Sequence, residues 1–102
     1  MTQSLQIVFH GINRSPALEK DVTEKFEALR RFDPRLGEGK VTVTQESHQP
    51  QGDFSVLITV KSCSGKDIIV KRNHTDALAA VHDAFDTLRR AVKEEHDKAH
   101  HI

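Results

Sequence analysis

The amino-acid sequence predicts an α+β domain, β-α-β-β-β-α, with two helices packed on one face of a four-stranded mixed sheet. Three observations predict it. Apolar and polar residues alternate with period two in four short segments, as in strands with one buried face. Two longer segments repeat apolar residues every three or four positions, as in amphipathic helices. The helical crossover between the first two strands favours a parallel pair, whereas the short connections that follow favour antiparallel neighbours.

Leu5, Ile7 and Phe9 alternate with Gln6, Val8 and His10, and Gly11 ends this first strand. Ser15 is a good N-cap and Pro16 suits the first helical position. The pair Asp33-Pro34 stops the helix, because a residue before proline is driven out of the helical region. The first helix is therefore predicted over residues 16–32. Its residues Leu18, Val22, Phe26, Leu29 and Phe32 fall within an arc of roughly 120°, the stripe of a helix lying on a sheet. Lys25 falls inside that arc. Either its methylenes pack while the ammonium reaches water at the sheet edge, or the packed stem aims the ammonium at a phosphate.

Residues 40–47 read as the second strand, with Val41 and Val43 on one face and Thr42 and Thr44 on the other. Residues 48–53, HQPQGD, carry a loop signal. Phe54, Val56, Ile58 and Val60 alternate with Ser55, Leu57, Thr59 and Lys61 in the longest strand. Ser64-Gly65 marks a tight hairpin turn. Residues 67–72 form the fourth strand, with Ile68 and Val70 inward. Asn73 to Asp76 supply capping residues for a second helix over about residues 76–98, followed by a disordered tail. Leu78, Val81, Phe85, Leu88 and Val92 form its apolar seam. Ala77, Ala84 and Ala91 beside the seam would let the first helix pack close. The outer sheet face, with Thr42, Thr44, Ser55, Thr59, Lys61 and Lys71, is expected to be solvated.

A length of 102 residues fits a single domain spanning 1–102, and 36% apolar residues fill one modest core without Trp or Tyr. The 15 basic and 15 acidic residues cancel, so any nucleic-acid site must be a local patch. Cys63 is the single cysteine, which excludes an internal disulfide and suits a reducing cytoplasm. The N-terminus has no signal-peptide pattern, and no apolar run approaches the ~20 residues of a membrane span, so no membrane partner is expected. The seven histidines, 10, 48, 74, 82, 96, 100 and 101, offer no convergent ligand set beyond His96 and His100, four apart. No metal site is expected. Cys63 has no histidine placed beside it, no carboxylate pair is spaced for acid/base work, and the glycines are scattered. These features predict no enzyme, no cofactor and no small-molecule substrate.

The cations are more suggestive. Arg30 and Arg31, with Arg35, gather at the end of the first helix, where they also complement the helix dipole. Arg89, Arg90 and Lys93 lie on the polar side of the second helix, and Asp86 is placed to pair with Arg90. Lys61, Lys66, Lys71 and Arg72 outnumber Asp67 on the last two strands. Each cluster reads either as a solvated surface or as a nucleic-acid contact.

Several segments together carry a resemblance. They are the opening strand, Ser15-Pro16-Ala17-Leu18, Lys25-Phe26 with Leu29, Ile68-Ile69-Val70, and the run DALAAVHDAFDTLRR from Asp76 to Arg90. In order and spacing the chain resembles the ribosome hibernation-promoting factor and ribosome-associated translation inhibitor family, in its short form and a divergent proteobacterial branch. The resemblance implies a stress factor in the cytoplasm. It would bind the small ribosomal subunit in the channel of mRNA and tRNA and block translation sterically. It further implies that basic residues on the two helices face ribosomal RNA. Lys25 and Arg90 match such positions, and Arg30, Arg31, Arg89 and Lys93 complete the expected set. The chain departs from close relatives of the well-studied factors at Ala28, Thr87, Glu94 and His96, where they carry lysine. With Glu94 and Glu95 negative, the phosphate-neutralisation contribution to affinity should be smaller. The alternative is a protein-interaction module that kept the fold and lost the ribosome, docking through Leu57 and Ile69 on the outer sheet face. The sequence leaves the oligomeric state open.

Overall fold

The computed structural model describes residues 5–45 and 54–99. The elements are β1 (Leu5–His10), α1 (Pro16–Phe32), β2 (Gly39–Gln45), β3 (Phe54–Lys61), β4 (Asp67–His74) and α2 (Ala77–Ala99). The sheet order is β1-β2-β3-β4, with β1 and β2 parallel and the later pairs antiparallel. The predicted α+β order and mixed sheet are both present. β4 runs two residues beyond its predicted end, and α2 starts after Asp76. The predicted 48–53 loop and the end of the tail lie outside the described residues.

The caps follow from the sequence. Ser15 Oγ accepts from Leu18 N at 3.3 Å, and Asp76 Oδ2 accepts from Ala79 N at 3.1 Å. Each satisfies a backbone donor that a helix start leaves without a partner. Gly65, at φ 91°, turns the hairpin between β3 and β4.

Strand register builds the core. Ile7, Val41, Ile58 and Val70 form one row across the sheet, and Phe9, Val43 and Val56 form part of the next. Val22, Phe26 and Leu29 of α1 cover this face together with Val81, Phe85, Leu88 and Val92 of α2. Burying each large apolar side chain contributes about 1.5–3 kcal/mol. Phe26, 2% exposed, lies directly over Gly39. A Cβ at Gly39 would come within 2.6 Å of the Phe26 ring, so the sheet admits that ring only where β2 begins with glycine.

Two seam residues depart from expectation. Leu78 is 44% exposed, because Ala80 and Ala84, fully buried, hold α2 against the sheet in its place. Phe32, the last residue of α1, is also 44% exposed. It sits at the helix end, where its ring packs on His96 of α2 with centroids 4.9 Å apart. The outer sheet face is not uniformly wet. Ser55 is buried, whereas Leu57 and Ile69 are exposed at 37% and 66%.

Candidate nucleic-acid interface

The two helices run side by side in the same direction. Asp21 early in α1 meets His82 early in α2, and Phe32 at the end of α1 meets His96. A cleft of about 560 Å³ separates them, with Ala28, Leu29, Phe32 and Phe85 as its apolar lining. Lys25 from α1 and Arg89 and Lys93 from α2 stand around it, together with His82 and Asp86. The stripe that buries Leu29 and Phe85 thus also brings three of the six predicted RNA-contacting cations into one depression.

Each of these three has a carboxylate beside it. Lys25 Nζ lies 3.4 Å from Asp21 Oδ1, Arg89 3.9 Å from Asp86, and Lys93 3.0 Å from Asp97. The ammonium of Lys25 therefore reaches the interhelical cleft and not the sheet edge. Asp21 is shared, since its Oδ2 lies 3.5 Å from His82 Nε2. The hydrogen bond from Lys93 holds the Asp97 carboxyl below its ordinary range. The Arg89–Asp86 and Lys93–Asp97 pairs are exposed and contribute little to stability, so a phosphate can displace the carboxylate there, whereas Lys25–Asp21 is half-buried between the helices.

The other three predicted cations lie outside the cleft. Arg30 donates to the carbonyls of Leu36 and Gly37 at 3.0 and 3.1 Å, and its guanidinium lies 5.1 Å from the centre of the Phe26 ring. It clamps the α1–β2 connection. Arg31 is exposed and makes no ion pair among the described residues. Arg90, 76% exposed, is held by Asp86 at 2.7 Å. Of the sheet cations, Lys61 pairs with Asp67 at 3.1 Å and Arg72 with Asp83 at 3.6 Å.

Sequence reasoning missed three residues. Asp33 is 1% exposed and ends α1, with its N–H bonded to Leu29 O at 2.8 Å. Its Oδ1 accepts from Arg35 N at 3.1 Å. The Asp-Pro stop signal was visible; the burial was not. Asp21 could be matched with Lys25 by helical spacing, but its link to His82 depends on tertiary packing. Glu95 belongs to structure: it accepts from Ser64 Oγ at 3.0 Å, tying α2 to the β3–β4 turn. Cys63 donates to Glu95 O at 3.8 Å, and desolvation together with the charge of Asp33 pushes its thiol up. The thiolate is the nucleophile, so the folded protein is expected to react with iodoacetamide more slowly than the urea-unfolded chain at pH 8. Equal rates in a thiol-labelling time course would contradict this.

Among the described residues, no group of three or more His, Cys, Asp or Glu could hold a metal, and no helix is long and apolar enough to cross a membrane. The molecule is of the class of small two-layer α+β domains, with a cation-bearing cleft in its helix layer. Within that class, the chain belongs to the family described as sigma 54 modulation protein / S30EA ribosomal protein, whose model matches residues 5–100. This is a family of ribosome-associated proteins. The fold is similar to the Protein Y N-terminal domain of Thermus thermophilus, with a TM-score of 0.75 and 21% identity over 90% of this chain and 98% of that one. It is also similar to a ribosomal subunit interface protein of Coxiella burnetii, with a TM-score of 0.75 and 17% identity over 88% and 93%. No curated protein sequence matches significantly.

Proposed function

We propose that the protein is a non-enzymatic hibernation factor of the cytoplasm that binds the small ribosomal subunit. Its helix layer faces ribosomal RNA in the mRNA/tRNA channel, where bound protein blocks translation sterically under stress. Family membership supports ribosome association, and one observation carries the assignment of the face: Lys25 of α1 shares a cleft with Arg89 and Lys93 of α2. Phosphate contacts from these side chains would supply affinity, and the shape of the RNA would supply selectivity. Arg31 and Arg90 would add contacts on either side. Arg30 would contribute by keeping the α1–β2 connection in place.

Gradient sedimentation of cell extract at low and high salt tests this reading. The protein is expected to travel with small subunits at low salt and to leave them as salt rises. If it stays at the top of the gradient even at low salt, the reading fails. The carboxylate beside every cleft cation favours one other reading, a protein-interaction module that has lost the ribosome. Nuclease distinguishes the two, because RNA digestion releases a ribosome-bound protein and leaves a protein complex intact.

A further inference from the structure

We propose that the open edge of β4 joins two copies of this chain, antiparallel about a twofold axis through Ile69, into one continuous sheet. This inference does not rest on the ribosomal reading. β4 is last in the sheet order, so among the described residues no strand pairs with its outer edge. An unpaired edge presents backbone N–H and C=O groups to any strand that can match it. Ile69 on this edge, 66% exposed, is the most exposed large apolar side chain among the described residues.

The sequence of β4 is complementary to itself in one register. In an antiparallel pair, residues directly opposite each other share a face of the sheet. Centring the pair on Ile69 sets Ile69 against its own copy on the outer face, and Asp67 then meets Lys71 of the other copy on both sides of the axis. On the helix-covered face the same register sets Ile68 opposite Val70. Moving the register by one pair in either direction breaks the charge match. Toward the C-terminus, Lys71 meets Ile69 and Asp67 meets Asn73. Toward the N-terminus, Asp67 meets Ile69 and Lys71 meets Gly65.

A lysine on an edge strand ordinarily discourages pairing. Here Lys71 is exposed and makes no ion pair among the described residues, so its charge is available to a partner carboxylate. Asp67 already pairs with Lys61 at 3.1 Å within the chain and would bridge the two lysines. Arg72 would face Lys66 at the ends of the pairing, but Asp83 and Thr87 draw its guanidinium onto α2.

Sedimentation-equilibrium measurements on the purified full chain test the proposal without ribosomes, so its outcome is independent of small-subunit binding. The native protein is expected to show a reversible monomer–dimer equilibrium. Asp67→Lys and Lys71→Asp each place like charges opposite each other and are expected to weaken self-association about tenfold. An equal mixture of the two variants restores both opposite-charge pairs and is expected to dimerise again, as a heterodimer. Circular dichroism confirms that each variant is folded. Should Asp67→Lys unfold through loss of its Lys61 contact, Ile69→Arg sets two cations on the axis and is expected to abolish dimers. A native chain that stays monomeric to its solubility limit overturns the proposal. So do variants that associate as the native chain does, or a mixture that fails to recover.

Discussion

Changing Lys25, Arg89 and Lys93 together to glutamate is expected to lower affinity for small subunits on the order of 100-fold or more at moderate salt. Each lysine or arginine that contacts a phosphate contributes roughly one unit to the slope of log affinity against log salt, so the slope should flatten by about two to three units. The three are the correct set because they alone among the six predicted cations line one cleft. Arg31→Glu, outside the cleft, is expected to have a smaller effect. Arg30 is a poor probe, since removing it frees the carbonyls of Leu36 and Gly37 and disturbs the fold first. The measurement is binding of labelled protein to purified small subunits across a salt series. A triple variant with unchanged affinity and slope would remove the helix cleft from the ribosomal contact.

The converse substitutions probe the same balance. Asp21, Asp86 and Asp97 each neutralise a cation at the cleft. Asp97→Asn frees Lys93 without touching the core, because both side chains are exposed. Tighter binding to small subunits is the expected result.

The elements were legible because their signals are local. Alternation places Ile7, Val41 and Ile58 on one face, and Ser15, Pro16 and Asp76 announce helix starts. The errors at Leu78 and Phe32 share a cause: periodicity tells which stripe of a helix is apolar, but not how far the neighbouring layer extends beneath it. Cleft membership was half legible. Helical spacing puts Arg89 and Lys93 on one side of α2, and Lys25 inside the α1 stripe. Nothing local distinguishes Arg30 from Arg31, adjacent cations at the same helix end. Their fates divide because Arg30 faces the returning chain at Leu36 and Gly37, and Arg31 faces solvent. Asp33 was illegible for a similar reason, since its burial comes from tertiary packing that sets the thiol of Cys63, distant in sequence, beside it.

The Phe26–Gly39 contact is expected to dominate stability. Phe26→Ala removes a buried ring and should cost about 3–5 kcal/mol, a large share of the ~5–15 kcal/mol that holds a domain of this size together. Gly39→Ala keeps the ring but drives a methyl into it, since the added Cβ would stand 2.6 Å from Cε1 and 2.8 Å from Cζ. Overpacking of this kind costs about 1–3 kcal/mol. The two losses have one origin, so they should not add. In a Phe26→Leu background the ring atoms that meet the new methyl are gone, and Gly39→Ala should then cost less than in the native chain, by about 1 kcal/mol or more. Urea denaturation of the four proteins in this cycle measures the coupling. Additive losses would mean that the ring does not rest on Gly39. Coupled losses would tie the start of β2 to the middle of α1, and through the guanidinium of Arg30 over the same ring, to the connection that sets where α1 ends.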